Sequence, residues 1–82
     1  MSDQKKEQFE IHVDSHLFKV SQSHMTGAEI KALVKKDATY QLFLEGHGGN
    51  PDRLIADTDS VEIKNGLHFY TVPPATFGNG SN

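Results

Sequence analysis

Met25-Thr26-Gly27-Ala28-Glu29-Ile30-Lys31-Ala32-Leu33-Val34-Lys35-Lys36 decides the fold. Thr26 followed three residues later by Glu29, just before apolar residues, is a capping box: the hydroxyl accepts from the Glu29 amide and the carboxylate reaches back to the Thr26 amide. Ile30, Leu33 and Val34 recur at i, i+3, i+4, the spacing of one helix face. Met25, just ahead of the cap, is placed to staple against Ile30. Lys31, Lys35 and Lys36 lie toward the C-terminal end, where cations suit the helix dipole, and read as a solvated face. The pattern predicts one helix over 27–36, apolar on one side only.

Working outward, the periods on both sides are those of strands. Phe9, Ile11 and Val13 alternate with Glu10, His12 and Asp14, Asp14-Ser15-His16 is turn-like, and Leu17–Val20 resumes an extended pattern. The pair predicts a β-hairpin, its turn type left open because no glycine supplies positive φ. After the helix, Tyr40–Glu45 reads as a strand, Gly46–Asp52 as a loop and Arg53–Ala56 as a short strand. Asp57–Ser60 reads as a turn, with Asp57, Asp59 and Glu62 as turn caps and solvated charge. Val61 and Ile63 stand at i and i+2, Asn65-Gly66 turns the chain, and Leu67–Val72 is the last strand. Pro73-Pro74 stops the ladder, since proline has no amide hydrogen to donate. A hairpin followed by a helix and further strands predicts an α+β fold, a mixed sheet wrapped around a single helix in the β-grasp arrangement. Residues 1–7 read as a disordered leader, 8–74 as the folded domain and 75–82 as a flexible tail.

Composition narrows the function. Eighty-two residues make one small domain, which buries only about 60% of its unfolded surface and has little room for a deep cleft. Eight basic against eleven acidic side chains give a net charge of −3, which argues against a nucleic-acid partner. No apolar run approaches the ~18 residues of a membrane span, and the start of the chain lacks the apolar stretch of a signal peptide, so the expected compartment is the cytoplasm. The absence of cysteine excludes disulfides, thiolate metal sites and a thioester on this chain's own side chains. His12, His16, His24, His47 and His68 show no clustered ligand spacing, although His12 and His16 flank the hairpin turn. Gly46-His47-Gly48-Gly49-Asn50 lacks the Lys-Ser/Thr of a phosphate loop and reads as a connector. No metal, no cofactor of its own and no catalytic residue is expected; the chain is not read as an enzyme.

Three segments together carry a resemblance: the opening hairpin Phe9–Val20, the helix start Met25-Thr26-Gly27-Ala28-Glu29-Ile30, and the closing Leu67-His68-Phe69-Tyr70-Thr71-Val72-Pro73. Across residues 8–74 the chain resembles ubiquitin-like proteins, most closely the bacterial multiubiquitin type. Ile63-Lys64-Asn65-Gly66-Leu67-His68-Phe69 is also similar to the final strand of ubiquitin, which reads Leu-His-Leu. The family usually carries several such domains in tandem; this chain has one. The resemblance implies a protein modifier. An activating enzyme uses ATP to adenylate its C-terminal carboxylate, a conjugating-enzyme cysteine takes the acyl group, and a target amine or hydroxyl receives it. A processing or deconjugating peptidase and a setting in phage defence are implied with it.

The residues of the tail permit that chemistry. Eight residues follow Pro74 and extend to about 26 Å, enough to thread a narrow channel. Gly78 and Gly80 fit a constriction and leave the carbonyl open to attack, while Pro73-Pro74 stiffens the base of the tail. The same segment is also compatible with ordinary terminal disorder. Ubiquitin-like modifiers end in Gly-Gly, whereas this chain reads Gly78-Asn79-Gly80-Ser81-Asn82, so the expectation is a precursor from which Ser81-Asn82 is removed to expose the Gly80 carboxylate. The candidate partner-binding residues are Phe43, His68, Tyr70, Pro73 and Phe77. Leu42, Leu44, Leu67 and Phe69 are expected to face the helix, which turns Phe43, His68 and Tyr70 outward. A modifier must dock to several enzymes in turn, so a monomer is expected. Two other functions stay open: a β-grasp sulfur carrier with a C-terminal thiocarboxylate, and a protein-binding module that is never conjugated.

Overall fold

The computed structural model describes residues 8–74. The leader and tail read from the sequence, with Phe77, Gly78, Asn79, Gly80 and Ser81, lie outside the described residues. The elements are β1 (Phe9–Val13), β2 (His16–Val20), β3 (His24–Thr26), α1 (Gly27–Leu33), β4 (Gln41–Leu44), β5 (Arg53–Ile55), β6 (Ser60–Glu62) and β7 (Leu67–Val72). Five strands form a mixed sheet in the order β2-β1-β7-β4-β5, with β1 and β7 parallel and the other neighbours antiparallel. This is the ubiquitin-like grasp expected from the sequence. Ile11, Val13, Leu42, Ile55 and Phe69 from the sheet bury themselves with Ile30 of the helix to make the core.

The hairpin turn has the two residues Asp14 and Ser15, since Val13 pairs with His16. Both take positive φ, 52° and 70°, the type I′ geometry that matches the twist of paired strands. A non-glycine residue in this region costs about 1–2 kcal/mol. Bonds to β7 offset it. The Asp14 carboxylate accepts from the Thr71 amide at 2.8 Å and the Thr71 hydroxyl at 2.6 Å, and the Asp14 amide donates to the Phe69 carbonyl at 3.0 Å. The turn is thereby fastened to the strand that leads into the tail.

The capping box forms as read: the Thr26 amide donates to Glu29 Oε1 at 2.9 Å and the Glu29 amide to Thr26 Oγ1 at 3.2 Å. The next two amides find partners across the chain, Gly27 on the Asp59 carbonyl at 3.1 Å and Ala28 on the Asp57 carbonyl at 3.2 Å. The helix ends at Leu33, not at residue 36. Lys35 turns left-handed at φ 59°, its amide donates to the Ala32 carbonyl and the Lys36 amide to the Lys31 carbonyl, each at 3.1 Å. These two bonds are the Schellman closure, here with lysine where glycine is usual.

Lys31 corrects the reading of a solvated lysine face. It is 3% exposed. Its Nζ donates to the Tyr40 carbonyl at 2.7 Å and the Ala38 carbonyl at 3.2 Å and pairs with Asp57 Oδ1 at 2.6 Å. The segment after the early helix end folds back, and its inward carbonyls need a donor that water does not supply. Asp57 is therefore an ion-pair partner as well as a turn residue, while Asp59 caps its own turn through the Ala56 amide at 2.9 Å.

A second, two-stranded sheet pairs β3 with β6, Met25 opposite Val61. The sequence reading gave 24–26 no strand and placed the extended stretch at 61–64. Met25 does join Ile30 in the core, but as a strand residue.

Candidate functional site

The outer face of the five-stranded sheet gathers the candidate binding side chains. Alternation along β4 and β7 sends Leu42 and Phe69 inward with Leu44 and Leu67, and turns Phe43, His68 and Tyr70 out, as the sequence predicts. Phe43 and Tyr70 are a directly opposed cross-strand pair. Their rings stack with centroids 5.3 Å apart and planes 10° from parallel. Leu54 of β5 stands opposite Phe43 and is 50% exposed, so the row runs Tyr70, Phe43, Leu54. Pro73 is exposed just past the end of β7.

Tyr70 is held in place by the loop of residues 46–52. Its hydroxyl donates to Asp52 Oδ2 at 2.6 Å, and the Gly46 amide donates to Asp52 Oδ1 at 2.9 Å. The Tyr70 hydroxyl, then the Gly46 amide, hold the Asp52 carboxyl below its usual range. The same bond, then desolvation, then the charges of Asp52 and Glu45 push the Tyr70 phenol up. A lowered carboxyl contributes stability above its unfolded pKa and loses it as pH falls through the folded value; a raised phenol contributes below its unfolded pKa and loses it as pH rises through the folded value. The latch is therefore closed between those limits and opens at both ends. Gly46 amide and Tyr70 ring shifts followed by NMR across pH will show two transitions. Asp52→Asn is expected to remove the acid one and move the alkaline one down toward ordinary tyrosine. An unchanged acid transition in that variant contradicts the latch.

A second row lies beside the first. His12 and His68, paired across the parallel strands β1 and β7, stack with centroids 4.4 Å apart and planes 3° from parallel. His12 Nδ1 is buried without a hydrogen-bond partner among the described residues. Leu17, opposite His12 on β2, is 51% exposed. His16 pairs with Val13 instead, which puts it on the other face, so His12 and His16 flank the hairpin turn without meeting. His16 lies against Phe18, ring centroids 6.5 Å apart. Among the described residues no three His, Cys, Asp or Glu side chains converge on a point, and no helix is long and apolar enough to cross a membrane.

The sequence reading missed Leu17 and Leu54. The signal was present for both. A two-residue turn fixes Leu17 opposite outward His12, and Leu54 precedes Ile55, whose burial sends its neighbour out.

The family model for Multiubiquitin matches residues 9–74, most of the chain and nearly all of the described domain. The chain belongs to the multiubiquitin family. Neither the curated proteins nor the solved structures gave a match. On the sheet face of this multiubiquitin-family domain, two half-exposed leucines flank the stacked aromatic and histidine pairs, with no lysine or arginine among these six side chains.

Proposed function

We propose that this multiubiquitin-family domain is a protein modifier, joined to targets through the carboxylate of Gly80 after a peptidase removes Ser81 and Asn82. The observation that carries the reading is that β7 serves two purposes. It presents Tyr70 and His68 on the sheet face and, two residues beyond Tyr70, gives its last paired residue, Val72, to the exposed Pro73-Pro74 step. An enzyme docked on Phe43, Tyr70 and Leu54 has the Gly80 carboxylate six residues past Pro74, within about 20 Å of extended chain from that proline.

The chemistry then belongs to partners. A Gly80 carboxylate oxygen attacks the α-phosphate of ATP on an activating enzyme, and pyrophosphate leaves. A partner cysteine thiolate attacks the acyl carbon and AMP leaves. A target amine or hydroxyl attacks the thioester, the thiolate leaves, and an amide or ester remains. With no cysteine in the chain, both thioester steps need a partner's sulfur, and the domain is carrier and cargo rather than catalyst. Phage defence is the biological setting the proposal carries, with the cytoplasm as its compartment.

The test is Gly80→Trp in the native host, read as adducts heavier than the free protein on a blot against the folded domain. Adducts are expected to fall at least about tenfold, since an indole at the acyl position blocks the channel and the carbonyl. Phe43→Ala with Tyr70→Ala is expected to lower them about tenfold with the tail intact. Undiminished adducts in the Gly80 variant overturn the proposal.

A further inference from the structure

Asn65 is followed by Gly66 in the turn before β7, and there the backbone can react with a side chain of its own chain. Glycine has no β-carbon to keep its nitrogen off the preceding carboxamide. The other asparagine among the described residues, Asn50, precedes Pro51, whose nitrogen carries no proton to lose. Asn65 and Gly66 are both exposed, and a β-carbon at Gly66 would meet nothing within 4 Å. Gln8, Glu10, Lys19 and Asn65 line an open depression of about 490 Å³ beside them. Water therefore reaches this step, and burial does not protect it.

Hydrogen bonds protect it instead, and both run to one residue of β1. The Glu10 amide donates to Asn65 Oδ1 at 2.7 Å, and the Gly66 amide donates to the Glu10 carbonyl at 2.8 Å. The parallel pairing of β1 with β7 starts at Ile11 opposite Leu67, so the asparagine side chain supplies the acceptor that carries the ladder one residue further back. Ring closure needs a Gly66 nitrogen without its proton and an Asn65 carboxamide turned onto that nitrogen. While Glu10 holds both groups, the proton is committed to its carbonyl and the carboxamide to its amide.

We propose that Asn65-Gly66 is a self-modification site, closed by this double clasp and opened when the start of β1 leaves β7. The Gly66 nitrogen then gives its proton to hydroxide and bonds Asn65 Cγ. The carboxamide nitrogen takes a proton from water and leaves as ammonia, and a succinimide remains. Water breaks the imide at Cγ to give aspartate, or at the Asn65 carbonyl carbon to give isoaspartate. The two products differ in their effect on the fold. Aspartate keeps an acceptor for the Glu10 amide. In isoaspartate the main chain runs through Cγ, so Oδ1 and the Gly66 N–H belong to one trans peptide unit and point opposite ways. They cannot both meet Glu10, and the chain entering β7 is longer by one carbon. A passing release of β1 is thereby made permanent, on the strand that leads to the tail. This chemistry goes beyond conjugation and stands whether or not the chain is a modifier.

The test is a time course of the full chain in mildly alkaline buffer, with and without denaturing urea, read by peptide mass mapping with electron-transfer fragmentation. That readout separates aspartate from isoaspartate, and Asn65 from the second Asn-Gly step, Asn79-Gly80, which lies outside the described residues. Without urea, Asn65 is expected to react at least about tenfold more slowly than with it. Glu10→Pro removes the amide that donates to Asn65 and no bond to β2, and is expected to raise the rate in buffer at least about threefold. If that variant does not fold, the two rates of the parent chain decide. The isoaspartyl form, separated by chromatography, is expected to unfold at lower urea than Asn65→Asp, which keeps the acceptor. Equal rates with and without urea overturn the proposal, as do faster reaction in the folded chain or an isoaspartyl form as stable as Asn65→Asp.

Discussion

Gly27→Ala lowers the stability of this domain by about 3 kcal/mol, an overpacking cost at the upper end of its usual range. Gly27 opens the helix, and a β-carbon there meets the Ala56 carbonyl oxygen at 2.3 Å and its carbon at 2.9 Å. Both atoms are backbone, held where Gly27 and Ala28 donate to the carbonyls of Asp59 and Asp57. The turn after β5 cannot withdraw without releasing those bonds. Helix propensity acts the other way, since alanine is better than glycine by about 0.5–1 kcal/mol inside a helix, but the clash is larger. Urea unfolding followed by circular dichroism measures the difference. A variant as stable as the parent would show that the turn moves freely, and the account of the helix start would be wrong.

Removing the Lys31 ammonium is the second large effect. Lys31→Met keeps the stem and leaves the carbonyls of Ala38 and Tyr40 without their donor, with an expected loss of about 2–3 kcal/mol. Asp57→Ala is expected to cost only about 1 kcal/mol, because the Asp57 side chain is 42% exposed and water replaces its partner. A double-mutant cycle in the same denaturant assay isolates the pair. Equal costs for the two single variants would mean that the ion pair, not the carbonyls, carries the interaction.

What the sequence disclosed follows from the range over which its signals act. The capping box at Thr26 and Glu29, the alternation of Phe9, Ile11 and Val13, and the proline stop after Val72 are local, and each is found in the structure. The inward set Leu42, Leu44, Leu67 and Phe69 was legible because period 2 leaves only two choices and one of them buries the leucines. The type I′ turn was not legible: Asp14 and Ser15 take positive φ without glycine, and the bonds that offset the cost at Asp14 come from Thr71, far along the chain. Lys31 was misread for the same reason, its partners being carbonyls of a segment whose path the helix pattern does not encode. The three-residue β3 is too short for periodicity to mark, and it exists because β6 lies opposite. The outer-face leucines were readable from register.

The central claim is that the Gly80 carboxylate becomes the reactive end of this domain. The most direct measurement is the intact mass of the protein recovered from its native host, with and without its neighbouring genes. The account predicts a species short by Ser81 and Asn82, together with heavier adducts whose branched peptides join Gly80 to a target side chain. Replacement of one oxygen by sulfur at that carboxylate would contradict it in favour of sulfur transfer. A single unmodified mass retaining Asn82 under every condition would contradict it in favour of a binding module that is never conjugated.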